Sequence, residues 1–303
     1  MGLRVRNAGL FSLLVDVGRT GSRALGVPLG GAADRAAFAL GNGLVGNFTP
    51  VVALEVTLAG PTLEALHPTA CVVFGASFHS TINGRPIVAG TTFTLEPGDM
   101  LRIGGTGNGV RAYLCVAGGF DSPEVLGSRS ALEPIQVGDE LQCAASRIEA
   151  RSLPPETVPG GLHELRVLDG AQRDWFTDAT FFTTPYEVSA ASNRMGIRLK
   201  GKALLRRAGE LVSEAVAPGA VQVTNDGQPI VLGVDGQTIG GYPKVAHVIR
   251  ADLDLLAQLR PSDGVRFVRV SADEAVTAAQ VRTAFLKAWL SRLRIAERQP
   301  VFV

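Results

Sequence analysis

The chain has 303 residues, with 29 Lys+Arg against 28 Asp+Glu, a net charge of +1. That length allows one large or two ordinary domains, each able to form its own core, and the near-zero charge gives no footprint for nucleic acid or an anionic membrane surface. Gly accounts for 36 residues and charged residues for 19%, against an average near 25%, which favours many short strands and tight turns over a helical bundle.

The N-terminal half reads as strand, turn, strand. Asp34 is the natural N-cap of a short helix over 35–45, with Ala36, Ala37, Leu40, Leu44 and Val45 forming an apolar stripe and Gly46-Asn47 stopping it. Strand-like segments follow at 51–58, 71–74, 80–82, 91–95, 100–103 and 112–116. Asn83-Gly84 is a hairpin signal between two of them, and Pro97-Gly98-Asp99 and Val137-Gly138-Asp139 are turns. Residues 1–150 are therefore expected to form one β-rich domain. The Pro-rich stretch 151–163 is expected as a linker.

Residues 164–303 read as a second β-rich domain. Met195, Ile197 and Leu199 alternate with polar or small neighbours, a half-buried strand by its period of two. Further strands are expected at 230–234, 245–249 and 265–270, with a helical turn at 252–259. Ser271-Ala272-Asp273-Glu274 is a capping box that opens a helix to about Arg294. Phe285, Trp289 and Leu293 share one face of that helix, which is expected to pack on the β-rich domains.

Cys71, Cys115 and Cys143 are odd in number and show no C-x-x-C, so neither a disulfide framework nor a thiolate zinc site is supported. The expectation is buried thiols in a reducing cytoplasm. No apolar run is long enough to span a membrane. There is no P-loop, and Gly105–Gly109 leads into a strand rather than a helix. The four His lack metal-ligand spacing, and Gly75–His79 lacks the last Gly of a nucleophile elbow. No metal or cofactor is expected on a motif of this chain's own.

Two loops carry candidate chemistry. The first runs from Asp16 through Arg19 and Arg23 to Asp34. Its glycines and arginines suit an anion, and the competing reading is a surface loop whose arginines pair with Asp16 and Asp34. In the second, Asp-Gly-Gln occurs at 226–228 and again at 235–237. An extended strand between would hold Gln228 and Asp235 about 20 Å apart, so one small substrate cannot use both. The turn at 235–244 is the richer, offering Asp235, Gln237, Thr238 and Lys244, with Gly240-Gly241 leaving room beside the backbone. Asn193-Arg194 precedes a strand, and an Arg at a strand mouth can clamp a carboxylate. Solvated turns and ordinary surface ion pairs are the competing readings of these residues.

Together these segments resemble the biotin-dependent carboxyltransferase-type family, which takes in allophanate hydrolase subunit 2, the C-type subunit of 5-oxoprolinase and the carboxyltransferase region of urea amidolyase. The resemblance rests on 16–19 with 25–28, 44–47, 54–61, 113–119, 126–130, 192–199, 213–214, 218–223, 226–230 and 240–244, in order along the chain. It implies a mainly β fold of two cyclophilin-like β-barrel subdomains with a few helices, the C-terminal helix packed on them, and a site in a cleft.

It also implies a subunit of an ATP-dependent 5-oxoprolinase-type hydrolase acting on a small amide or lactam. Its partners would be a kinase-inhibitor-type subunit (B-like) and a lactam-utilisation-type subunit (A-like), which would supply ATP. The alternatives are a carboxyltransferase subunit that receives carboxybiotin from a partner and acts on a urea-like substrate, and a regulator that only binds the kinase-inhibitor-type partner. On this reading Asp235 transfers protons, Gln237 orients, and Lys244 and Arg194 stabilise carboxylate or oxyanion charge. Asn193, Gly240, Gly241, Tyr242, Asp16 and Arg19 complete the candidate site. Departures from the family pattern are Val15 in place of Gln, 30–34 in place of a Ser-Gly-x-Met-Asp stretch, a loop missing after Arg129, and Gly236 where Arg is common.

Overall fold

The computed structural model describes residues 2–49, 51–156, 160–176, 180–207 and 209–298. Contacts divide them into two units. One holds residues up to Gly18, those from Asp34 to 156, and those from Ala284 onward; the other holds Arg19–Ala33 and the residues from 160 to Thr283.

The first unit contains β1 (Gly2–Asn7), β2 (Phe11–Val15), α1 (Arg35–Leu44), β3 (Ala53–Thr57), β4 (Thr62–Ala65), β5 (Thr69–Gly75), β6 (Phe78–Ile82), β7 (Arg85–Pro86), β8 (Phe93–Leu95), β9 (Met100–Thr106), β10 (Arg111–Val116) and β11 (Glu140–Gln142). They form two sheets, ordered β11-β1-β4-β9-β6-β7 and β2-β3-β10-β5-β8. Among the described residues no ladder joins the two sheets edge to edge. Instead they share one core, with Leu3, Leu63 and Leu101 from one sheet meeting Leu54, Val73 and Leu114 from the other.

β5 and β10 are buried along their whole length because α1 covers their other face. This accounts for their unbroken apolar sequence. Gly41 lets the helix approach, since a Cβ there would lie 2.9 Å from Cys115 Sγ and 3.2 Å from Phe74 Cβ. The start of α1 is fixed by a buried relay. The Asp34 carboxylate accepts from the Ala37 N–H, the Asp34 N–H donates to Tyr113 Oη, and Tyr113 donates to Glu55, each at 2.8–2.9 Å. Burial, then the Glu55 charge, pushes the Tyr113 hydroxyl well above its usual range, so it stays a donor. Asn83 and Gly84 both have positive φ, +50° and +80°, and the hairpin they predict joins β6 to β7.

Residues at the start of the expected linker are bonded to this unit: the Leu153 N–H donates to Gly90 O and the Arg151 N–H to Thr92 Oγ1. Residues 157–159 lie outside the described residues.

The second unit contains β12 (Leu162–Asp169), α2 (Thr180–Thr183), β13 (Tyr186–Val188), β14 (Gly196–Lys200), β15 (Glu214–Ala215), β16 (Ala220–Val223), β17 (Pro229–Leu232), β18 (Ile239–Gly240), β19 (Lys244–Val248), α3 (Leu253–Leu256) and β20 (Gly264–Arg269). Seven strands close a barrel in the order β12-β19-β16-β17-β14-β13-β20, and β15 and β18 form a separate ribbon. Val167, Leu199, Val221, Val231 and Phe267 fill its core. The alternation expected at 195–199 holds for Ile197 and Leu199, which are buried. Met195 lies before the strand and is 54% exposed.

The C-terminal helix α4 (Ala272–Arg298) opens on the predicted capping box. Ser271 Oγ accepts from the Glu274 N–H, and the Glu274 carboxylate accepts from the Ser271 N–H. Its later residues pack on α1 in the first unit, where a Cβ on Gly43 would meet Leu290 and Leu293. Of the expected apolar stripe, Leu293 is buried while Phe285 is 40% exposed.

Candidate functional site

The second unit's barrel presents a polar outer face. Strand alternation turns Ile197, Leu199, Val221, Val223 and Val231 to the core and leaves Arg198, Gln222 and Ile230 on the outside. Register places these three in one transverse row with Lys244: Arg198 faces Ile230, Ile230 faces Gln222, and Gln222 faces Lys244 across β14, β17, β16 and β19. At about 4.8 Å per strand, the Arg198 and Gln222 backbones are about 10 Å apart.

A cavity of about 200 Å³ lies over this row. Gln222, Gly196 and Leu232 are buried at its floor, and Asn193, Arg198, Gln237 and Tyr242 are exposed at its rim. Gln237 Nε2 donates to Gln222 Oε1 at 3.5 Å, and Gln222 Nε2 donates to Tyr242 O at 3.5 Å. Gly240 is required beside them: a Cβ there would lie 2.5 Å from Gln222 Nε2 and 2.9 Å from Gln237 Nε2. A second cavity, of about 370 Å³, is lined by Gln237, Gly241 and Tyr242 together with Arg206, Glu210 and Asn225. Gln237 and Tyr242 thus stand between two compartments. Of the candidate residues, Asn193, Gln237, Gly240, Gly241 and Tyr242 are brought together around these two cavities.

Arg194, Asp235 and Lys244 are placed differently. Arg194 Nε and Nη2 donate to the two carboxylate oxygens of Asp235 at 2.6 and 3.0 Å, and Nη2 also donates to Gly31 O at 2.7 Å. The side chain is buried and its fork is committed within the protein. An incoming carboxylate would have to displace Asp235. Asp235 in turn has both oxygens engaged by Arg194. Arg19, also buried, reaches the same place: its Nη1 lies 3.3 Å, and Asp235 Oδ1 3.9 Å, from where a Cβ on Gly30 would sit. Lys244 Nζ is ion-paired with Glu214, and Gln172 joins the two, accepting from the Lys244 N–H at 3.1 Å and donating to Glu214 Oε1 at 2.7 Å. The hydrogen bonds from Lys244 and Gln172 hold the Glu214 carboxyl below its usual range.

Asp16 belongs to the first unit and is wholly occupied there. Oδ1 accepts from the Gly18 N–H and from the hydroxyls of Ser128 and Ser130, and Oδ2 accepts from the Arg129 N–H, all at 2.6–2.8 Å. Burial raises its pKa, but these donations together outweigh burial and hold it below the usual range. Asp16 is thus met by hydroxyl and backbone donors, and the Arg23 guanidinium donates to Val216 O. Just before Arg129 the chain turns tightly at Leu126-Gly127. It then follows β2, with the Ala131 and Ile135 N–H groups donating to Leu14 O and Ser12 O. At Gly236 a Cβ would sit 3.0 Å from the carbonyl oxygens of both Gly233 and Met195, so a side chain there would require this backbone to give by a few tenths of an ångström.

The row and its ribbon also bring in Arg198, Gln222 and Glu214, which no local pattern singles out as candidate site residues. Their signal was faint: Gln222 is one amide in an otherwise apolar strand, and Arg198 occupies the polar phase of an alternating one.

The carboxyltransferase domain family, subdomains A and B, matches residues 25–269. The chain belongs to the carboxyltransferase-domain family. Within that family it is 35% identical to the C-type subunit of the Escherichia coli 5-oxoprolinase, over 95% of this chain and 98% of that one. The urea amidolyase of Lachancea kluyveri is 30% identical over 88% of this chain and 17% of its own length. The crystal structure of K. lactis urea amidolyase matches with a TM-score of 0.87 at 28% identity, covering 95% of this chain and 20% of that one. This carboxyltransferase-domain chain thus spans about a fifth of that solved enzyme.

Proposed function

We propose that this chain is the C-type subunit of a cytoplasmic 5-oxoprolinase, binding a small lactam while partner subunits of the B-like and A-like types bring ATP. The net reaction adds water across the lactam C–N bond, giving a carboxylate and a free amine, coupled to ATP hydrolysis. One observation carries this reading: the likeness to the E. coli subunit runs nearly end to end on both chains, as expected of an equivalent subunit rather than of a shared module.

On this reading the barrel's outer cavity receives the lactam. Gln237 orients it from the rim, and Asn193 and Tyr242 complete the wall. Lys244, tied to Glu214, acts at one remove by holding the ribbon that carries Gly240, and the Arg194–Asp235 pair fixes the turn that leads to Gln237. Purified chain, both partners, 5-oxoproline and ATP should yield glutamate, with each omission abolishing it. No glutamate from folded, assembled subunits would refute the assignment.

The high structural likeness to urea amidolyase favours a second reading, carboxyl transfer from a partner's carboxybiotin to a urea-like acceptor. Avidin blotting of the complex isolated from cells separates the two, since only the second requires a biotinylated partner.

A further inference from the structure

Resting on the lactam reading, we infer that the outer-barrel cavity is built for a cyclic amide bearing a carboxylate, with Arg198 clamping the carboxylate and Gln222 reading the amide edge.

Arg198 is the cation in the row that the protein leaves unspent. Its backbone is pinned, N–H to Ser192 Oγ at 3.0 Å and carbonyl from the same hydroxyl at 3.3 Å. Its guanidinium, exposed at the cavity wall, makes no hydrogen bond or ion pair among the described residues. Arg194, four positions earlier, has its fork filled by Asp235 and Gly31. Of the two arginines, Arg198 is therefore the one able to meet a carboxylate with a bidentate fork.

Gln222 supplies the complementary half. It is 2% exposed, yet its side-chain hydrogen bonds among the described residues are both 3.5 Å long, the outer limit for such a bond. A carboxamide has two N–H donors and two acceptor sites, and leaving them poorly met in a buried position is costly. A ring lactam holds its N–H and C=O on one edge, and so does a primary carboxamide. The two edges therefore match as a pair of antiparallel hydrogen bonds. An open-chain trans amide puts N–H and C=O on opposite sides and cannot make that pair. Between Arg198 and Gln222 lies Ile230, with Leu232 beside it, an aliphatic floor for the ring methylenes. Urea fits the amide half alone and leaves Arg198 without a partner.

The test uses the assembled complex and the full chain, with 5-oxoproline and 2-pyrrolidinone (the same ring without a carboxylate) as probes. In the complex, Arg198→Met should raise KM for 5-oxoproline by about tenfold or more with kcat little changed, and Arg198→Lys should restore part of the loss. By saturation-transfer NMR on the isolated chain, Arg198→Met should weaken 5-oxoproline and spare 2-pyrrolidinone, whereas Gln222→Glu, near-isosteric but without donors, should weaken both. An unchanged KM in Arg198→Met, equal loss of both probes in that variant, or failure of the wild type to bind either probe alone or in complex would overturn the inference. If folded wild-type subunits make no glutamate, the oxoprolinase reading fails by itself. The contrast between the two probes still decides the role of Arg198.

Discussion

Arg194 grips Asp235 by two parallel hydrogen bonds and spends its remaining reach on the carbonyl of Gly31. The pair ties the mouth of β14 to the turn after β17, and through Gly31 it ties both to the segment 19–33. The Gly30 N–H reinforces this by donating to Val234 O at 2.9 Å. Replacing Arg194 with Met leaves a half-buried carboxylate without its partner, a loss of about 3 kcal/mol. Urea unfolding should show that loss in Arg194→Met and little recovery in Arg194→Lys, because an ammonium cannot reproduce the fork. Full stability in Arg194→Met would make this arginine a candidate substrate ligand again.

Gly240 tests the cavity itself. It is absent from the positive-φ glycines, so alanine is compatible with its backbone, yet a methyl group there would push against both carboxamides. Gly240→Ala should therefore keep its melting temperature within about 3 °C of wild type, since the displaced atoms are flexible side-chain ends. Its affinity for 5-oxoproline should fall by about tenfold, the loss expected for one misplaced hydrogen-bonding edge. A large drop in melting temperature with unchanged affinity would show that Gly240 serves packing alone.

The sequence is legible where one local rule governs. Asn83-Gly84, the Asp34 cap and the Ser271–Glu274 box all form as their chemistry dictates. The strand at 62–65 is not legible, because four residues with two apolar positions carry too little period. The candidate site was half legible. Glycines and amides at 237–242 mark a turn open to a ligand, and Gln237, Gly241 and Tyr242 line the cavities. For charged residues the sequence shows a charge but not its partner. Arg194 and Lys244 were the better candidates by motif, and each is consumed by an acid, Asp235 or Glu214. Gln222 and Arg198 emerge only from cross-strand register, which sets residues far apart in the chain into one row with Lys244 in a way no local pattern encodes.

Asp16 gives a pH prediction whose sign follows from its depressed pKa. A carboxylate held below its unfolded value, near 3.9, contributes stability that is fully present above that value and is lost as pH falls through the folded one. Asp16→Asn would aim an amide N–H group at existing donors, and should cost about 3 kcal/mol at pH 7. Under acid the wild type surrenders the same contribution. The gap between wild type and Asp16→Asn in urea unfolding should therefore narrow steadily below about pH 4. A gap independent of pH would mean that the hydroxyls of Ser128 and Ser130 and the Arg129 N–H do not stabilise the charge.

Lys244 and Glu214 separate a positioning role from a catalytic one. If the ammonium stabilised an oxyanion directly, Lys244→Met would lower kcat and Glu214→Gln would not. If the pair instead holds the β15–β18 ribbon, and with it Gly240, the two variants should lose lactam affinity alike. The double variant should then fall within about 0.5 kcal/mol of either single one, because both remove the same contact. Acid should mimic them. Glu214 is held below its usual range, so the ion pair persists at neutral pH and is released only as pH falls through that lowered value. Lactam affinity should therefore be flat across neutral pH and decline in acid for the wild type, with the decline from this pair missing in Glu214→Gln. A kcat loss confined to Lys244→Met would instead place its ammonium against the reacting atoms.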